Sequence, residues 1–175
     1  MDTNLTVKQI ENALIFSSGL FSVRNDIIIP NLSWGLLNHE ADLAVLNKTG
    51  YLTEIEIKRS LADLRADFRK DVYHCDERVY KFYYCLPTGI EEKALEVFGQ
   101  HQDKIMEMLG TTFYHHPALL LYDEHGRITQ GGGSPYKNGR KLFLEERLTV
   151  ARLASCRYWD LRRKSAVGEQ QELKF

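Results

Sequence analysis

Two short runs constrain the fold more than any other part of the chain: Asp42-Leu43-Ala44-Val45-Leu46 and Tyr51-Leu52-Thr53-Glu54-Ile55-Glu56-Ile57-Lys58. The second alternates with a period of two, as strands with two different faces do. Between them, Lys48-Thr49-Gly50 makes a three-residue loop, with glycine at the left-handed position that such hairpins favour. That loop pairs Asn47 with Tyr51, which puts Asp42 opposite Glu56 and Glu40 opposite Lys58. Cross-strand partners share a face, with Cβ atoms about 5 Å apart. One face then carries Glu40, Asp42, Glu54, Glu56 and Lys58. The other carries Ala41, Leu43, Val45, Thr53, Ile55 and Ile57 as core. A two-residue loop would shift the register by one and turn Asp42 to the wrong side.

Carboxylates gathered on an interior hairpin are costly unless something neutralises them. Mg²⁺ or Mn²⁺ would do so. Asp42 and Glu56 are hard oxygen ligands that leave coordination positions for water and a phosphate oxygen. Lys58, two residues beyond Glu56 on the same face, can then orient that water or stabilise charge building on the phosphate. The competing reading is a surface strand with a Glu–Lys salt bridge.

The rest of the chain alternates helices and strands, so the fold class is α/β. Thr6 and Gln9 form a capping-box pattern that starts a first helix with the stripe Val7, Ile10 and Leu14. Residues 26–32 read as a strand that Pro30 confines to a sheet edge. Ser60 and Asp63 cap a helix whose buried stripe is Leu61, Leu64, Phe68 and Val72, with Asp63, Asp67 and Lys70 on its solvated side. An aromatic strand, Tyr80 to Leu86, ends at Pro87. A helix over about 90–109, a hairpin from Ala118 turned by Asp123-Glu124-His125-Gly126, and a last helix over about 142–164 follow. The expectation is one domain over 1–164 and a disordered tail over 165–175.

Charge is uneven. Residues 1–126 carry 12 basic and 19 acidic side chains, whereas 127–164 carry 10 basic and 3 acidic. A basic block of that kind is either a polyanion footprint or a solvated helix face. Within it Arg140, Lys141, Arg157, Arg162 and Arg163 are candidate phosphate contacts. Tyr158 and Trp159 lie among them, and Trp159 is expected in the core. The six histidines show no zinc-ligand spacing. No apolar run approaches the ~18 residues of a membrane span. Met1-Asp2-Thr3-Asn4 lacks a secretory pattern, and Cys75, Cys85 and Cys156 read as reduced thiols, which points to the cytoplasm.

Asp42, then Glu56-x-Lys58 on the next strand and a helix after it, resembles the core of the PD-(D/E)XK nuclease superfamily. Glu56-Ile57-Lys58-Arg59-Ser60 through Asp63 and Asp67, with Cys75-Asp76 and Phe82-Tyr83-Tyr84-Cys85-Leu86-Pro87, is similar to the MmcB-related DNA-repair proteins of that superfamily. The likeness covers residues 6–126. Ala41 stands where the motif's name has proline, and Glu77-Arg78-Val79-Tyr80-Lys81 looks like an insertion. The resemblance implies a restriction-endonuclease-like core, a central mixed sheet flanked by helices with a basic C-terminal helix. It further implies a Mg²⁺- or Mn²⁺-dependent deoxyribonuclease acting on DNA in repair or processing. Asp42, Glu56 and Lys58 would be its catalytic set, and Glu11 on the first helix a third metal carboxylate. Glu11 borders the buried stripe, where it reads equally as a ligand or as a glutamate reaching solvent. A homodimer would suit cleavage of both strands. One alternative is a nuclease-fold module that binds DNA in repair without cutting. Another is an assembly protein whose basic helix meets an acidic partner.

Overall fold

The computed structural model describes residues 5–32, 35–70 and 74–172, with side chains as far as Lys164. Six strands form one open sheet in chain order: β1 (Ile27–Leu32), β2 (Ala41–Leu46), β3 (Leu52–Ile57), β4 (Val79–Pro87), β5 (Ala118–Tyr122) and β6 (Ile128–Gln130). β1, β2 and β3 pair antiparallel, β3, β4 and β5 pair parallel, and β6 turns back on β5. Helices α1 (Val7–Asn12), α2 (Leu61–Asp67), α3 (Glu91–Gln100), α4 (Gln102–Leu109) and α5 (Leu144–Glu172) flank it. The chain is therefore α/β with a central mixed sheet. Among the described residues, no helix is long and apolar enough to cross a membrane.

The hairpin has the register its loop dictates. Gly50 sits at φ +93°, its N–H donates to the Asn47 carbonyl at 2.9 Å, and the Asn47 N–H donates to the Tyr51 carbonyl at 3.1 Å. Leu43 then faces Ile55 and Ala44 faces Glu54. A side chain at residue 50 would also collide with the Arg147 guanidinium, which occupies the space a Cβ would need. Pro30 falls on β1, an edge of the sheet, where a missing N–H costs least.

Both faces of β3 are covered, because it lies between β2 and β4 with helices on either side. Leu43, Val45, Ile55 and Ile57 pack with Ile10 and Leu14 beneath α1. On the opposite face Leu52, Phe82 and Tyr84 pack with Leu64, Phe68 and Phe98 of α2 and α3. Every residue of β3 is buried. Glu54 and Glu56 thus project into a protein interior, which removes the surface-strand reading of this segment.

Several local expectations need correction. The capping box of α1 forms as expected, with Ile10 and Leu14 fully buried, but Val7 is exposed. The helix expected over 90–109 is two helices, because His101 leaves helical geometry at φ −123°, ψ 33°. Val72 lies outside the described residues. α5 runs on past residue 164 to Glu172. Its first part packs against β1 through Val150, Leu153 and Ala154. Trp159 is not core: it is 63% exposed, beside an exposed Tyr158.

Candidate metal centre

β2 and β3 stop pairing as a regular ladder after Leu43 and Ile55. Beyond that point the side chains take over. The Ile57 N–H donates to Asp42 Oδ2 at 2.8 Å, and the Asp42 N–H donates to Glu56 Oε1 at 3.2 Å. Each carboxylate therefore crosses to the opposite backbone, and the two acids meet at one end of the hairpin. Glu11, half-buried on α1, is near enough to Asp42 to feel its charge. Its carboxyl is pushed up by burial and then by the negative charge of Asp42. Glu40, expected on the same face, is exposed and takes no part.

Behind this pair lies a buried ionic cluster. Lys58 Nζ donates to Glu56 Oε2 at 2.8 Å and to Asp67 Oδ1 at 3.0 Å. Asp67 ends α2, is 1% exposed, and also accepts from Tyr84 Oη at 2.9 Å and pairs with Lys70 at 2.6 Å. The expectation that Asp67 is solvated is thus overturned. The last turn of α2 lies over β3 and β4, so a position polar on the helical wheel faces Lys58 and Tyr84. His74 lies between Asp67, 2.9 Å from its Nε2, and Glu54, 2.6 Å from its Nδ1. His39 Nε2 approaches the same Glu54 Oε1 at 2.7 Å.

These contacts set the charges. Burial pushes Glu56 up to about 7 against the pull of His74 and Lys58, while Asp42 and Glu54 add to the rise. Burial would also raise Glu54, but the His74 charge and the hydrogen bonds from His39 and His74 hold it low, at about 2. For His74 the balance is reversed: desolvation favours the neutral ring, and Glu54 and Asp67 overcome it to raise the group to about 9. Lys58 is likewise held above its usual range by Glu56 and Asp67 despite its burial, and Asp67 is held well below its own.

The donor set fits a hard divalent cation. Asp42 commits Oδ2 to the backbone, leaving Oδ1 for a ligand, whereas Glu56 accepts from the Asp42 N–H on Oε1 and from Lys58 on Oε2, so a cation would compete with Lys58 for it. Among the described residues, two groups have three donor atoms within 4.8 Å of one another: Glu56, Asp67 and His74, and His39, Glu54 and His74. Asp42 belongs to neither. Sequence spacing missed His39, His74 and Asp67. The signal that pointed to them was Glu54 itself, an acid in a strand with apolar neighbours, which demands a cation from somewhere.

The candidate phosphate contacts divide into two kinds. Arg140 is engaged internally, donating to Glu77 at 2.9 Å and to both oxygens of Glu146 at 2.7 and 2.8 Å. Arg157 donates to the Asn31 carbonyl at 2.8 Å. Lys137, part of the same basic block, is buried and donates to the His74 carbonyl. Lys141, Arg162 and Arg163 are exposed, Arg163 with a loose 3.3 Å contact to Asp160. The three cysteines are all free.

No family model and no curated protein matches the chain. Among solved structures, the chain is similar to one described as the SPO1766 protein of unknown function from Silicibacter pomeroyi. The TM-score is 0.57 and the identity 14%, over 96% of this chain and 95% of that one. At that identity the likeness shows a shared α/β fold and nothing about activity.

Proposed function

We propose that this chain is a metal-dependent DNA-processing protein that hydrolyses phosphodiester bonds where β2 and β3 part. The reading is carried by Asp42 and Glu56, whose carboxylates replace ladder bonds at one end of the hairpin, where the Asp42 charge also reaches Glu11. Bound Mg²⁺ or Mn²⁺ would supply a Lewis acid for the phosphate and lower the pKa of a water. Asp42 and Glu56 would hold it, with Glu11 as the third carboxylate. Lys58 keeps Glu56 in place and brings a fixed positive charge to the site, where charge develops on the phosphate oxygens. The exposed Lys141, Arg162 and Arg163 would meet the DNA backbone, whereas Arg140 and Arg157 hold the fold.

Incubating plasmid and branched DNA with Mg²⁺, Mn²⁺ or chelator tests this. Cleavage should require metal, and Lys58→Ala should slow it by at least ~10²-fold, the scale of losing one electrostatic stabiliser. Wild-type rates in Lys58→Ala would remove Lys58 from the chemistry. One observation favours a second reading, a DNA-binding repair module that does not cut. Lys58 is 5% exposed, and its ammonium is engaged by two internal carboxylates. Salt-dependent DNA retention without cleavage of either DNA form would select that reading.

A further inference from the structure

His39 and His74 aim one ring nitrogen each at the same carboxylate oxygen. His39 Nε2 is 2.7 Å and His74 Nδ1 2.6 Å from Glu54 Oε1, and the two rings meet edge-on with centroids 4.8 Å apart. The far nitrogen of each ring also faces an oxygen. His39 Nδ1 lies 2.6 Å from Asn38 Oδ1, and His74 Nε2 lies 2.9 Å from Asp67 Oδ2. Those acceptors fix the far nitrogens as N–H donors. The near nitrogens of both rings and Glu54 Oε1 thus converge on one point, where a cation that displaces a ring proton would find two imidazoles and a carboxylate oxygen. The other oxygen, Glu54 Oε2, is fully buried and has no hydrogen-bond partner among the described residues. An ion pair of protonated rings leaves that oxygen unsatisfied, at the usual cost of a buried orphan.

We infer that His39, Glu54 and His74 form a transition-metal site suited to Zn²⁺, separate from the Asp42–Glu56 pair. Two imidazoles and a carboxylate are a common zinc donor set, and histidines whose second nitrogen donates to a carboxylate or carbonyl are the usual supporting arrangement. Tetrahedral zinc at about 2.0–2.2 Å from each ligand needs donor atoms roughly 3.3 Å apart. The present separations therefore open by about 0.6 Å, and Glu54 Oε2 gains a partner as the carboxylate turns. A metal there ties the segment before β2, which carries His39, and the segment before β4, which carries His74, to the middle of β3. The site does not depend on any activity at Asp42.

The test is Zn²⁺ titration by calorimetry of the full chain, first dialysed against chelator, followed by anomalous X-ray scattering at the zinc edge. Wild type should bind one Zn²⁺ per chain. His39→Ala, at the rim and therefore least disruptive to folding, should weaken binding at least tenfold, whereas His125→Ala on the exposed hairpin should leave it unchanged. The anomalous peak should lie between His39, Glu54 and His74. Absence of Zn²⁺ binding, equal affinity in His39→Ala, or a peak elsewhere overturns the assignment.

Discussion

The acidic face of the β2–β3 hairpin and the basic face of α5 are equally conspicuous as charge patterns, and they have opposite fates. On the hairpin Glu54 and Glu56 are buried, and Lys58, Asp67 and His74 surround them in a hydrogen-bonded cluster. On α5, Arg162, Arg163 and Lys164 stand in solvent beside the exposed Tyr158 and Trp159. Charges in the first region interact strongly because they have lost water, and each depends on its neighbours. Those in the second are screened, nearly independent, and available to an external partner.

The sharpest contrast is in stability. Asp67→Ala removes one partner from both Lys58 and His74 in the interior and should cost about 3–5 kcal/mol. Arg163→Ala, at an exposed 3.3 Å pair, should change stability by no more than about 0.5 kcal/mol. Urea unfolding of the two variants reads both values, and similar losses would erase the distinction.

The pH dependence of unfolding probes the buried region next. His74 has a raised folded-state pKa of about 9, so its contribution is complete below about 6.5 and is lost as pH climbs through 9. Glu56, raised to about 7, contributes fully below about 4.5 and loses that contribution as pH rises through 7. Glu54, lowered to about 2, contributes above about 4.5 and fails in acid. Stability should therefore peak at about pH 5 and decline towards about pH 9. A urea midpoint that rises from about pH 6 to 9 would contradict these assignments.

The smallest effects belong to α5. Replacing Lys141, Arg162 and Arg163 with alanine should reduce the salt slope of DNA binding by about 0.9 for each phosphate no longer neutralised. Arg140→Ala should leave that slope unchanged and lower the unfolding midpoint, because its guanidinium is engaged by Glu77 and Glu146. A slope that responds to Arg140 alone would relocate the footprint.

Local features were legible because local physics decides them. Lys48-Thr49-Gly50 fixed the register of the hairpin, Thr6 and Gln9 fixed the start of α1, and Pro30 fixed an edge strand. The face shared by Glu54, Glu56 and Lys58 followed from that register, but the ladder ends at Leu43 and Ile55, and Asp42 and Glu56 meet through side-chain-to-backbone hydrogen bonds in place of a ladder pair. The neutralising partners were not legible. His39 and His74 lie 15 and 20 residues from Glu54, and only the placement of β2 and β4 on either side of β3 brings them together. The need for a counter-charge was evident from the hairpin; Lys58, the partner that the salt-bridge reading supplies, meets part of it, and His74, which spacing does not reveal, meets more. Trp159 misled because residue type favours burial, yet the stretch of α5 that carries it is exposed.

Mn²⁺ calorimetry of Asp42→Asn against wild type, both in a His39→Ala background that isolates the hairpin end, addresses the central claim most directly. If Asp42 and Glu56 hold a divalent cation together, the amide should weaken binding by about tenfold or more while urea unfolding shows an intact fold. Equal Mn²⁺ affinity in the two proteins would mean that the crossed carboxylates are a structural feature of the hairpin and not a metal centre.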